Sequence, residues 1–364
     1  MIDFVTLKYY YDIFMYFTLA FVILNLFHAF TLRLSDEKNI KFLRSSGVFL
    51  LITVTLYLGL RPVSGEEFGD MGVYANYFKG YVAGANVTST KDVLFHYYMR
   101  FSASFIGVHG FFLLTEIIYI FPMYLISKVY FKKYWFYSFF MFIVTFSFYT
   151  YGTNGIRNGL ATSIFLWALC YKDKKIIMIL FFILGSLFHK TLLLPIIAFA
   201  LTFFYNNPKT YLKVWLFSIP ASLLLGSVFI ALFTSLGFGD DRLAEYLTGS
   251  IQSDTRFRWD FLFYSAFPIF AGWYFIVKKQ FNDTFYNQIF NTYLVCNAFW
   301  VLVIRANFSN RFAYLSWFLM AIIIIYPLLK KQFFNNQQII IAKVVTAYFA
   351  FTFLMFLIYY ADKN

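Results

Sequence analysis

The sequence predicts an all-α, polytopic integral membrane protein with about 12 transmembrane helices. Three observations carry that reading. The 364 residues are 61% hydrophobic and only 13% charged, against about 25% charged in soluble domains. Apolar runs recur from one end of the chain to the other. Basic residues collect in alternate connections between those runs, as the positive-inside rule requires of a multi-span protein. The 53 Phe and 30 Tyr suit lipid-facing surfaces and interfacial belts.

The apolar runs place helices at 9–32, 46–60, 110–131, 134–152, 157–171, 176–189, 191–205, 213–236, 259–277, 286–304, 312–329 and 338–360. The first is long and lacks a small-residue cleavage site, so it reads as a true helix rather than a removed signal. Several fall short of the roughly 20 residues that a 30 Å core demands, and flanking aromatics are expected to extend them. The stretch 93–108 is apolar but carries His96 and Arg100. Counting it as a span would put Lys132 and Lys133 outside, so it reads as an interfacial or re-entrant helix on the outer face. The chain is read as one transmembrane domain, 1–364, with outer loops at 61–109 and 237–258 and no internal repeat.

The basic connections are Arg33 to Arg44, Lys128 to Lys133, Lys172 to Lys175, Lys209 to Lys213, Lys278-Lys279 and Lys330 to Lys343. Assigned to the cytoplasm, they leave both termini outside. They hold 17 Lys and Arg against Asp36, Glu37, Asp173 and Asp283, a net of +13. That equals the whole formal charge of the chain, so orientation accounts for it and nucleic acid is excluded as a partner. Fifteen of the 17 are lysine, whereas eight of the remaining 13 cations are arginine: Arg61, Arg100, Arg157, Arg242, Arg256, Arg258, Arg305 and Arg311. Lysine suffices for topology, but arginine grips phosphate with a planar fork and keeps its charge when partly buried. Cys170 and Cys296 lie inside apolar runs and build neither a disulfide framework nor a metal site. With four His and no ligand spacing, no metal or other cofactor is expected.

The chain is organised around Tyr151-Gly-Thr-Asn-Gly-Ile-Arg-Asn-Gly-Leu-Ala161 and the run that follows it to His189-Lys190. With Lys172 to Lys175 on one side of the membrane, Arg157 and His189 emerge together on the other. Glycine allows close backbone approach, and a helix N-terminus presents free N–H groups to an anion; the alternative is a snorkelling arginine at a helix-breaking turn. His189 suits a proton acceptor, a donor to phosphate or a plain interfacial residue. Asp70 and Tyr74 are four apart, hence on one helix face; Asp70 reads equally as an ionised carboxylate taking a sugar hydroxyl proton or as a helix cap. Arg305 and Arg311 bracket a short outer turn, and Arg256 and Arg258 lie just before another helix; any of them suits a pyrophosphate clamp. Glu116, inside a span, is a functional candidate by its position or a partner for Arg100.

Arg61…Gly69-Asp70…Tyr74, Gly155-Ile-Arg157-Asn-Gly-Leu-Ala161, Leu187-Phe-His189-Lys-Thr and Asn310-Arg311-Phe, in that order, resemble the EpsG-like group of Wzy-type polysaccharide polymerases. The resemblance departs at two places: the family's Gly-Thr-Asp reads Phe68-Gly-Asp70 here, and its glutamine after the motif arginine is Asn158. It implies a multi-pass protein of the bacterial cytoplasmic membrane, related to glycosyltransferases of the GT-C kind. Such a protein joins undecaprenyl-pyrophosphate-linked oligosaccharide repeat units at the outer face into O-antigen, capsule or exopolysaccharide. Lipid-linked glycan, membrane lipids and a chain-length regulator are the implied partners. In those terms Asp70 is the expected base and His189 a donor to the leaving pyrophosphate. Arg61, Tyr74, Arg157, Asn158, Arg256, Arg258, Arg305 and Arg311 form the expected substrate-binding set. The alternatives are a flippase or transporter of lipid-linked oligosaccharide, or a membrane O-acyltransferase acting on the polysaccharide.

Overall fold

A computed structural model describes residues 4–235, 256–306 and 309–360. Helix accounts for 80% of the structure, and no strand occurs among the described residues. The helices are α1 (Tyr10–His28), α2 (Glu37–Gly59), α3 (Gly65–Phe68), α4 (Asp70–Val82), α5 (Val93–Ala103), α6 (Val108–Phe131), α7 (Trp135–Ile143), α8 (Phe148–Thr153), α9 (Ile156–Leu169), α10 (Lys175–Phe188), α11 (Leu193–Phe204), α12 (Pro208–Ser235), α13 (Trp259–Trp273), α14 (Thr284–Leu302), α15 (Asn310–Trp317), α16 (Met320–Lys330) and α17 (Gln337–Tyr359).

Among the described residues, 7 helical stretches are long and apolar enough to cross a membrane: Leu7–His28, Glu37–Gly59, Val108–Ile143, Pro208–Phe233, Trp259–Lys278, Asn310–Lys330 and Gln337–Tyr359. The chain is therefore a multi-pass membrane protein, with fewer full-length spans than the 12 expected. The difference has physical causes. Helices α9 and α10 are 14 residues each and α11 is 12, or about 20 Å, against a hydrocarbon core of about 30 Å. The apolar run at 134–152 breaks between α7 and α8. The expected span at 46–60 begins earlier, at Glu37, because Lys38, Lys41 and Arg44 continue the same helix as a polar extension. At 11 residues, α5 is too short to span, as the reading of 93–108 requires.

The chain divides into two compact units, residues 1–192 with 328–364, and residues 193–327. In the first, α6 lies against α2, α7 and α9, α9 lies against α10, and α1 pairs with α17. Small residues set the close approaches. A Cβ on Gly47 of α2 would lie 2.5 Å from the Trp135 ring of α7. One on Gly59 would lie 2.6 Å from Leu113 of α6. The Thr352 hydroxyl of α17 donates to the Val144 carbonyl at 2.7 Å, meeting a backbone acceptor freed where α7 ends. Helices α4 and α5 pack on each other, with Phe78 and Phe95 buried against Phe111 of α6.

In the second unit α14 is the hub, against α11, α12, α13 and α15. A buried polar knot ties four of these helices. Trp215 donates to Asn297 Oδ1 at 2.7 Å, the Asn297 amide donates to Ser265 and Ser316, and Trp317 donates to Ser265 at 2.8 Å. Helix α12 contains Pro220 and bends at Leu225, whose φ of -125° and ψ of 18° leave the helical region.

Candidate functional site

The site grows from a clip between two sequence motifs. Helix α8 stops at Thr153, and the Asn154 Oδ1 there accepts the backbone N–H of Asp70 at 2.9 Å. That bond caps the first turn of α4 from a distant segment, satisfying one of its orphan donors. Gly69 makes it possible: its φ is +52°, and a Cβ at that position would lie 2.5 Å from Asn154 Oδ1. The Asp70 motif and the Arg157 motif are thereby held in fixed register.

Arg157, second residue of α9, reaches across to α4 and α5. Its Nε donates to the Tyr74 hydroxyl at 2.9 Å and its Nη1 donates to Asp92 Oδ2 at 2.6 Å, with the guanidinium 5.7 Å from the Tyr74 ring centroid. The side chain is 32% exposed, and Nη2 makes no hydrogen bond among the described residues. His189 closes α10 in extended conformation, and its Nδ1 lies 3.0 Å from the same Asp92 oxygen. Tyr74 in turn points its hydroxyl at Asp70 Oδ2, 3.4 Å away. Asp70, Tyr74, Arg157 and His189 thus form one chain of contacts through Asp92.

Asp92 was not among the residues singled out from the sequence. Its side chain is 5% exposed. Its backbone sits in the left-handed region, φ 49° and ψ 44°, at the start of α5, a conformation few non-glycine residues adopt and one that clusters at functional sites. Burial alone would raise its pKa. The hydrogen bond and charge of His189, the charge of Arg157 and the Lys190 backbone N–H outweigh burial and hold the carboxyl below its ordinary range. Burial pushes the Tyr74 phenol up to about 12 despite the nearby Arg157 charge, so it stays a neutral donor to Asp70. An ionised Asp92 only accepts, so His189 Nδ1 carries the proton of their shared bond. The free nitrogen of the ring is then Nε2.

Arg61 is not at an open edge as expected. It is 1% exposed and forms an ion pair with Glu116 at 2.9 Å. It also donates to the Leu58 carbonyl and, at 3.2 Å, to those of Gly152 and Thr153. One guanidinium thus closes the carbonyl ends of α2 and α8 and fixes the turn that launches Arg157. Glu116 pairs with Arg61 and not with Arg100. The motif glycines are likewise consumed by packing rather than left open to a ligand. A Cβ on Gly152 would meet Tyr119 and Glu116, and one on Gly159 would meet the Tyr151 carbonyl. Asn158 is buried beside Arg157, and its Oδ1 accepts no hydrogen bond among the described residues.

The second unit carries the other expected arginines. Arg258 is closed on Asp260 by two bonds, 2.9 and 2.6 Å, and stacks 3.6 Å from the Phe261 ring centroid. Arg256 and Arg311 are exposed. Arg305 is half-buried and makes no hydrogen bond or ion pair among the described residues, its Nε lying out of solvent. Arg242 and most of the 237–258 loop lie outside the described residues. The two residues that were missed stand beside features that the sequence did single out. Asp92 is the acid directly before the apolar run that carries His96 and Arg100, and Asn154 lies within the arginine motif itself.

The EpsG family model, which describes membrane proteins related to Wzy-like polysaccharide polymerases, matches residues 46–364. No curated protein and no solved structure matches the chain.

Proposed function

The chain belongs to the EpsG family, a polysaccharide-biosynthesis family of membrane proteins, and from that premise we propose that it polymerises undecaprenyl-pyrophosphate-linked repeat units at the outer face of the bacterial cytoplasmic membrane. The observation that carries this reading is the convergence of Arg157 and His189 on the single carboxylate of Asp92.

Each part of the reaction finds a group there. The bond between the donor sugar and its pyrophosphate breaks, and the new bond forms from an acceptor hydroxyl oxygen. Negative charge grows on the departing pyrophosphate, and Arg157 Nη2, the unengaged arm of a fork fixed by Tyr74 and Asp92, is the donor for it. The acceptor hydroxyl proton passes to His189 Nε2, with Asp92 holding the opposite nitrogen so that the ring presents a lone pair. This moves the base role from Asp70, where the sequence put it, to His189, and leaves the leaving pyrophosphate to Arg157. A neighbouring arginine keeps a carboxylate ionised and disfavours a second positive charge on a histidine. The carboxylate beside Arg157 is Asp92, and it stands between that arginine and His189. Asp70, at the head of α4 and beside Tyr74, is placed to accept a hydrogen bond from a sugar hydroxyl.

Deleting the gene in its host and resolving the surface polysaccharide by size tests the reading. A polymerase defect leaves single repeat units. Absence of glycan points to a flippase or an earlier enzyme, and full-length glycan lacking acyl groups to an acyltransferase.

A further inference from the structure

Helix α10 turns two different faces outward and inward. Ile176, Ile179, Leu180, Ile183, Leu184 and Leu187 are exposed, from 38% to 76%. Their spacing of three and four residues draws them into one stripe along the helix. Met178, Phe182, Gly185 and Phe188 are buried on the other face, which packs on α9: the Phe182 ring lies 4.8 Å from that of Phe165. In a membrane protein the tails of lipids are as apolar as leucine and cover such a stripe.

Both ends of the stripe are polar, and both are fixed. At the start Asp173 is 85% exposed and accepts from the Lys172 ammonium at 2.7 Å, and Lys174 and Lys175 are exposed beside it. At the far end His189 is held 3.0 Å from Asp92, which holds Arg157 at 2.6 Å, and Lys190 is exposed. From Lys175 to His189 the chain rises about 21 Å. A bilayer core is about 30 Å thick, so about 9 Å is missing. Tilting the helix would only widen the deficit. Helix α12 has no such deficit: its apolar stretch from Val214 to Phe233 rises about 30 Å.

We propose that the partner of this face is a thinned patch of bilayer, in which lipid headgroups descend to the level of His189 and Arg157. A hydrophobic stretch shorter than the core is met by thinning, by long side chains reaching out to the interface, or by association with another chain. The lysines can reach outward along their stems. The imidazole, tied to Asp92, and the short Asp173 side chain cannot. Thinning costs little per Å of mismatch, whereas submerging the ionised Asp92 and Arg157 in hydrocarbon is expensive. A substrate carried on a lipid then presents its phosphate to Arg157 without leaving the headgroup layer. That consequence rests on the polymerase reading; the thinning itself does not.

The test measures depth rather than activity, so its failure and that of the polymerase reading are separate results. The full-length chain carrying Cys170→Ala and Cys296→Ala is reconstituted in dioleoyl phosphatidylcholine vesicles. It bears one nitroxide, either at Ile183→Cys on α10 or at Leu224→Cys on α12; both residues are exposed in the native chain. Collision rates with oxygen and with a nickel chelate give the depth of each label below the headgroups. The Leu224 label is expected about 15 Å deep, half of a full core. The Ile183 label is expected about 9 Å deep, the rise of the residues between it and His189. Leu180→Cys, expected about 8 Å deep, takes its place should that variant not fold. A difference between the two helices smaller than half of that expected overturns the proposal. An α10 label immobilised by a second copy of the chain overturns it as well, because protein and not lipid then covers the stripe.

Discussion

His189 Nδ1 lies 3.0 Å from Asp92 Oδ2, although 97 residues separate the two in sequence. The same oxygen takes the Arg157 Nη1 hydrogen at 2.6 Å. One carboxylate therefore sets the orientation of both the imidazole and the guanidinium. An amide in its place would lack the charge that Arg157 faces and would not hold the imidazole in one tautomer. Asp92→Asn is expected to lower polymer formation by up to about 10⁴-fold, the drop known for a carboxylate that orients a catalytic histidine, with the protein still present in the membrane.

The same residue predicts a pH effect on stability. The folded-state pKa of Asp92 is lowered, so its stabilisation is complete above the unfolded value of about 3.9. It is lost as pH falls through the lower folded value. Thermal unfolding in detergent should show a constant gap between the native chain and Asp92→Asn above about pH 5, closing in stronger acid. A gap that widens in acid would reverse the sign of the argument.

Arg157→Lys keeps the charge and loses the fork. Lysine cannot serve Tyr74, Asp92 and a phosphate oxygen from one planar group, so activity should fall at least tenfold. Arg258→Lys is the matched comparison, because Arg258 is already closed on Asp260; polymer made by that variant should stay within about twofold of the native chain, as expected of a partly exposed ion pair. Gel densitometry of polymer from cells carrying each variant distinguishes the two, and equal losses would count against the assignment of Arg157.

Gly69→Ala combines a strained φ of +52° with a contact of 2.5 Å to Asn154 Oδ1. It should displace the clip between the Asp70 and Arg157 segments and cut activity sharply. A methyl added at Gly107 would have nothing within 4 Å, and the backbone there has no positive φ, so Gly107→Ala should leave activity unchanged.

The buried pair carries a stability prediction. Glu116→Gln leaves Arg61 charged and unanswered in the core, a change that costs about 3–5 kcal/mol where such pairs have been broken. Its unfolding temperature should drop by several degrees, while Glu66→Gln, at an exposed position, should not move it.

How far the sequence could be read follows from these residues. The arginine motif and the histidine that ends α10 were legible because topology alone puts both ends of a helical hairpin at one face. The helical class was legible from composition and periodicity. The role of Arg61 was not, since a lone arginine after a span looks the same whether it caps carbonyls inside or meets phosphate outside; only the placement of Glu116 and the end of α8 decides. Asp92 was hidden for a related reason. Its importance lies in meeting two residues 65 and 97 positions away, which no local pattern records. The lengths of α9 and α10 were legible, 14 residues each against 15 and 14 expected; the extension of these helices by their aromatic flanks was not, because the flanking residues form turns instead of further helix.

The most direct test uses the purified chain in liposomes with lipid-linked repeat units, read as a ladder of glycan lengths. The account predicts a ladder from the native chain and from Asp70→Asn at reduced yield, and single units only from His189→Ala. A native chain that makes no ladder, or a His189→Ala chain that makes the native one, would contradict it.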